Sequence, residues 1–196
     1  MTEDSQSILR PVLMAIQQID GLRTPEQVQR QRDYARLALR RSAELSGAPL
    51  EGWTQDPDGR PLPNDGWHWS ISHKRQWAAG VVARTPVGID IEHVIPRRDE
   101  ALFDVIADAD EWAIIGERSW ENFYRIWTAK EAVLKANGFG IGKLGRCNVS
   151  GKRASHELEI EFGGHCWAVR IKERDDHFAT VTTIGQTVSW RVEGNR

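Results

Sequence analysis

The chain has only two cysteines in 196 residues, Cys147 and Cys166, and neither sits in a C-x-x-C or Cys/His ligand pattern. That spacing argues against a structural zinc module or a disulfide framework. No apolar run is long enough to span a bilayer, and the first residues, MTEDSQS, are polar and acidic rather than leader-like. Charge of one sign is missing too: 26 Lys and Arg face 28 Asp and Glu, a net of −2. The overall field therefore favours neither nucleic acid nor a membrane surface. There is no G-x-x-x-x-G-K-[ST] loop and no H-E-x-x-H helix, which disfavours P-loop and zinc-hydrolase chemistry. The expected setting is reducing and cytoplasmic.

What remains is an ordinary globular composition, 40% hydrophobic and 28% charged, over a length that can bury a real core. The nine tryptophans are expected in the core or on the rim of a groove. Residues 7–19 (SILRPVLMAIQQI) read as a short helix. A second helix starts at Thr24-Pro25-Glu26-Gln27, with Thr24 at the N-cap and Gln27 closing a capping box, and runs to about Leu45. It carries a basic stripe, Arg32, Arg36 and Arg40. A Pro/Gly/Asp-rich loop (56–66) precedes a strand, WHWSISH, with Trp67, Trp69 and Ile71 on one face. Lys74 to Gln76 turn into a partner strand at 77–83.

Two stretches then carry the chemistry. In VGIDIE (87–92), Val87, Ile89 and Ile91 alternate with Gly88, Asp90 and Glu92, the period of a half-buried strand. Both carboxylates fall on one face, about 7 Å apart, and repel unless a cation or donor intervenes. The bland alternative is the solvated face of an edge strand. The second stretch is a helix from about Trp120 to Asn137, capped by Ser119 and ended by Gly138 and Gly140. Its apolar face is Phe123, Ile126, Trp127, Val133 and Leu134. Lys130 lies within that face, where an ammonium group needs an anion or water. Glu131 and Lys135 share one shoulder, which alone would be an ordinary i, i+4 pair. Together the two stretches suggest a divalent-metal site for phosphate chemistry. From about Glu157 onward alternating strands follow. The pattern predicts an α+β fold of two similar subdomains, residues 1–95 and 96–196, each with helices on a small antiparallel sheet.

WSISH (69–73), VGIDIE and WTAKEAVLKANGFG (127–140) resemble the three motifs of the 4′-phosphopantetheinyl transferase superfamily, in its Sfp-like, pseudo-dimeric branch. Gly59-Arg60-Pro61 is similar to that family's G-K-P loop, and Arg32 and Arg41 to its R-x8-R helix. The match covers about Gln31 to Gly140. Two departures stand out. Lys74 follows Ser72-His73 where the family usually has Ser or Thr, and the N-terminus reads as helical where the family begins with a strand.

The resemblance implies transfer of the 4′-phosphopantetheine arm of coenzyme A to a carrier-protein serine, with release of adenosine 3′,5′-bisphosphate. It implies Mg²⁺ (or Mn²⁺) on Asp90, Glu92 and Glu131, with Glu131 as general base and Lys135 at the departing phosphate. Arg32, Arg60, Ser72, His73, Asp90, Lys130 and Lys135 are the expected coenzyme contacts, while Arg41 is the more structural of the arginines. A monomer is expected, acting on an acidic helical acyl or peptidyl carrier near Arg97, Arg98 and the helix after residue 99. Asp104, Asp108, Asp110 and Glu111 argue against a strongly basic face there. The rivals are another metal-dependent phosphoryl-transfer enzyme and a non-catalytic carrier-binding homologue.

Overall fold

The computed structural model describes residues 8–17, 19 and 23–194. Its elements, in chain order, are β1 (Ile8–Leu9), β2 (Val12–Ala15), α1 (Thr24–Ser46), β3 (His68–Lys74), β4 (Trp77–Ala83) and β5 (Ile89–His93). Then come α2 (Leu102–Ile106), α3 (Ala109–Ile115), α4 (Trp120–Ala136), a 3-10 turn (Ile141–Arg146), and β6 (Asn148–Ala154) to β9 (His177–Thr183). Between those last two lie β7 (Glu157–Phe162) and β8 (His165–Arg174), and the described chain closes with β10 (Thr187–Val188) and β11 (Arg191–Glu193). This is the α+β architecture expected. One sheet has the order β11-β2-β4-β3, another β5-β9-β8-β7-β6, and β1 and β10 form a two-stranded pair. Among the described residues no helix is long and apolar enough to cross a membrane.

The helix expected over residues 7–19 is not there; its described part forms β1 and β2, and residues 7 and 18 lie outside the described set. The family-like initial strand is thus present after all. Val12 and Leu13 are fully buried because β2 is a central strand, antiparallel to β4 and parallel to β11. A short apolar run buried on both faces shows no strand period, so it reads equally as helix. The start of α1 shifts by one residue. Arg23 is the N-cap, and the Glu26 carboxylate accepts its backbone N–H at 3.0 Å, so Glu26 does the work assigned to Gln27. Gly47 ends the helix in the left-handed region at φ 68°.

Strands cross the expected boundary near residue 95 in both directions. β5 joins the sheet of the second half through β9, and β11 joins the sheet of the first half through β2. Arg41 fastens this crossing: its Nε donates to Glu193 Oε1 at 2.7 Å. Trp67, Trp69 and Ile71 share a face as expected and pack with Leu39 and Ala43 of α1. Two helices lie directly on backbone at glycines, one within β4 and one just before β5. A Cβ on Gly80 would sit 2.3 Å from Leu39 N of α1, and one on Gly88 would sit 1.9 Å from Ala132 O of α4. Only glycine permits either approach.

Candidate functional site

α4 rests on Gly88, immediately before β5, so the helix and the acidic strand meet at backbone distance. Thr128 and Thr180 lock the register, their hydroxyls 2.7 Å apart across α4 and β9. Asp90 pairs with that same Thr180 in the β5–β9 ladder. The consequence is that Lys135, two turns along α4, brings Nζ to 2.7 Å from Asp90 Oδ1 and 3.1 Å from Ile89 O.

β3 supplies the next contacts. Ser70 and Ser72 alternate on the face of β3 that looks toward β5. Ser70 Oγ accepts from Ile89 N at 3.1 Å; Ser72 Oγ accepts from Ile91 N at 3.3 Å and donates to Asp90 Oδ1 at 2.9 Å. Asp90 is 5% exposed, so the solvated-face alternative does not describe it. Glu92 lies one pleat on, with Lys74 Nζ 2.6 Å from its Oε2, an ion pair rather than an aligned hydrogen bond. Burial pushes the Glu92 carboxyl up, and Lys74 opposes that rise.

Glu131 is pushed up to about 7, by burial first and by the charge of Asp90 second, with Lys135 opposing. Glu92 adds to the rise, so the three acids share one field. Asp90 Oδ2 and Glu131 Oε1 are both buried with no hydrogen-bond partner. Buried anionic oxygens in that state call for a cation or a proton. The donor set is all hard oxygen, which suits Mg²⁺ or Mn²⁺. Among the described residues no three His, Cys, Asp or Glu side chains are drawn together as a metal cluster; lysine ammonium groups stand against Asp90 and Glu92 instead.

Further basic side chains stand around His73 and along the cleft. His73 Nδ1 lies 3.1 Å from Gln31 Oε1 of α1. Its imidazole is held below the usual histidine range by burial first, then by Lys135, Arg32 and Lys74. Arg32 is exposed on α1 and close enough to be felt there. A cleft of about 320 Å³ runs from Lys135 and Ser70 to Arg60 and the Gly138–Gly140 turn. Arg60 stands on a tight turn in which Gly59 takes φ 81° and Asp56 Oδ1 accepts Arg60 N at 2.8 Å.

Lys130 is the departure. It is 2% exposed, and its Nζ lies 2.7 Å from Glu111 Oε1 and donates to Ile106 O at 2.6 Å. The anion that its place on the apolar face demanded is therefore internal, on α3, and Lys130 is committed to packing rather than to the cleft. Glu111 also accepts from Asp108 N at 3.0 Å and Val149 N at 2.7 Å. Two of the acids set against a basic docking face are thus spent inside or on a cap. Cys147 is fully buried beside this pair, and burial pushes its thiol up to about 11, so it packs rather than reacts.

Sequence reasoning missed Ser70, Gln31, Lys74 and Gly88 as parts of the site. Ser70 and Ser72 share a strand face, a signal that was readable; the partners of Gln31 and Lys74 depend on how α1 and β3 dock.

The fold and site define an α+β protein with a buried carboxylate pair and a lysine, Lys135, that also lines a cleft reaching Arg60. Residues 86–191 match the model of the 4′-phosphopantetheinyl transferase superfamily, ACPS. The chain belongs to that superfamily. It is 33% identical over 106 residues to the 4′-phosphopantetheinyl transferase psf-1 of Bacillus pumilus, 50% of this chain and 45% of that one. A Haemophilus influenzae protein provisionally named for the same activity is 35% identical over 146 residues, 69% of this chain and 60% of that one. The 4′-phosphopantetheinyl transferase Sfp of Bacillus subtilis is 29% identical over 113 residues, 54% and 49%. The chain spans about half the length of the curated relatives it matches.

Proposed function

We propose that the chain transfers the 4′-phosphopantetheine arm of coenzyme A to a serine hydroxyl of an apo acyl or peptidyl carrier protein, with Mg²⁺ or Mn²⁺ as cofactor. One observation carries the proposal: Asp90 Oδ2 and Glu131 Oε1 lie buried and unpartnered near Lys135, which itself lines a cleft that leads to Arg60. Asp90 and Glu131 would hold the divalent ion, with the charge of Glu92 beside them. When bound, that ion supplies charge neutralisation on the pyrophosphate.

The chain's own groups do the rest. Glu131 takes the proton of the carrier serine, a task for which a carboxyl near 7 is well matched to neutral pH. The serine oxygen forms a bond to the phosphorus that carries pantetheine, and the bond from that phosphorus to the bridging oxygen breaks. Adenosine 3′,5′-bisphosphate leaves with the bridging oxygen, and Lys135 neutralises the charge that develops on it. Arg32 and Arg60 hold the nucleotide phosphates, where guanidinium forks suit phosphate oxygens. His73 and Ser72 line the approach. An arriving phosphate favours the doubly protonated imidazole, opposing the depression set by burial first and then by its cationic neighbours. Both cysteines are free, which fits a cytoplasmic setting, and the strand crossings within one chain fit a monomer.

The test is incubation with coenzyme A, Mg²⁺ and a panel of apo acyl and peptidyl carriers, read as the mass of the carrier. Addition of one phosphopantetheine is expected, lost in D90A and E131A. Hydrolysis of coenzyme A with no carrier modified would favour a phosphodiesterase instead.

A further inference from the structure

We infer that Lys74 is a built-in counter-ion that withholds Glu92 from the metal, so that this chain binds its cation through Asp90 and Glu131 and sets its metal affinity through Lys74. The inference rests on the proposed metal site.

The three carboxylates are not equivalent. Asp90 Oδ1 is taken by Ser72 and Lys135, which leaves Oδ2 free, and Glu131 Oε1 is free as well. Glu92 differs, because the ammonium of Lys74 stands 2.6 Å from its Oε2. Lys74 closes β3 at the turn into β4, where Arg75 takes φ 39°. The Lys74 side chain is 39% exposed, and among the described residues Glu92, with its own side chain 17% exposed, is the acid paired with its ammonium. Three acids facing two lysines leave the site one negative charge short of balancing a divalent ion. Mg²⁺ is commonly held by one or two protein carboxylates plus phosphate and water, so Asp90 and Glu131 suffice once coenzyme pyrophosphate arrives. Lys74 then has a specific effect. It repels a cation in the empty site while the pyrophosphate, bringing its own negative charge, offsets that repulsion. Metal binding becomes dependent on the coenzyme.

The experiment is calorimetric titration of Mn²⁺ into the full chain, with and without coenzyme A, for the wild type, K74S, E92Q, D90N and E131Q. Folding of each is checked by circular dichroism, and K74Q replaces K74S if the serine variant does not fold. Without coenzyme, K74S should tighten Mn²⁺ binding by about tenfold, from removal of one nearby charge. E92Q should weaken it by less than about tenfold, and D90N and E131Q by more than about 100-fold. The K74S/E92Q double variant should gain less than K74S does, because the share of the gain that comes from freeing Glu92 is lost and only the removed repulsion remains. Loss of Mn²⁺ in E92Q as complete as in D90N, or no tightening in K74S, overturns the inference while leaving the metal site standing. Wild-type Mn²⁺ binding in D90N and E131Q overturns the metal site itself.

Discussion

Gly88 gives the most direct test of how the site is built. An alanine there would place its Cβ 1.9 Å from Ala132 O and 2.6 Å from Ala136 N. A carbon–oxygen contact settles at about 3.4 Å, so α4 must back off from β5 by about 1.5 Å or twist by an equivalent amount. The clash is with backbone, so no rotamer change relieves it. Overpacking of this kind costs about 1–3 kcal/mol, which for a chain of this length lowers Tm by about 2–12 °C. The functional cost is larger, because α4 carries both Glu131 and Lys135. A displacement of about 1 Å at a reacting centre costs about 100-fold in rate, so G88A should lose at least that much kcat in carrier modification. The control is G80A, whose Cβ would meet Leu39 N at 2.3 Å and lift α1 rather than α4. It should be destabilised comparably but lose coenzyme affinity through Arg32, raising KM more than it lowers kcat. Full kcat in G88A, or an equal kcat loss in G80A at matched folded fraction, would refute the reasoning.

K130M should lower Tm by about 6–20 °C, since it leaves Glu111 buried without its cation at a cost of about 3–5 kcal/mol. A loss of transfer activity at unchanged Tm would instead return Lys130 to the coenzyme. Arg41 holds the Glu193 carboxyl below its ordinary value of 4.5. A depressed carboxyl contributes stability above that ordinary value and loses it as pH falls through the folded one. The Tm gap between wild type and R41A should therefore be widest near pH 7 and shrink below about 4.5; a gap independent of pH would show that the pair is not its source.

Where one face of a strand is buried, its alternation showed through, so β3, β5 and the α4 wheel were legible, and with them Asp90, Glu131 and Lys135. β4, buried along its whole length, was readable only as the partner of β3 across the Lys74–Gln76 turn. What did not show was decided by distant pairing. Val12 and Leu13, on opposite faces of a central strand, are both fully buried, which erases the strand period. β6 was missed because among the described residues it is an edge strand paired with β7, and register shifts between Val149 and Gly151 and between Lys152 and Ala154 break its alternation. Lys130 could be seen to need an anion, but its partner sits on a separate short helix. Lys74 lies at a turn, where a lysine is usually solvated, and only the docking of β3 against β5 gives it Glu92.

That docking has an unusual chemical basis. β3 and β5 are edge strands of two different sheets and share no backbone ladder among the described residues. The N–H groups of Ile89 and Ile91 that point away from β9 would be buried and unpaired without the hydroxyls of Ser70 and Ser72. Two side chains replace a ladder, and one of them also donates to Asp90. S70A and S72A should therefore cost alike in stability, about 1–3 kcal/mol for a buried N–H left unmet, read as similar falls in urea midpoint. They should part in catalysis. S72A removes a donor from Asp90 Oδ1 and leaves Lys135 alone to orient it, so metal affinity and kcat fall together. S70A touches no carboxylate and should keep kcat, with any loss confined to KM because Ser70 lines the cleft. Equal kcat losses in the two would mean that the serines act only as backbone partners, and that Lys135 fixes Asp90 by itself.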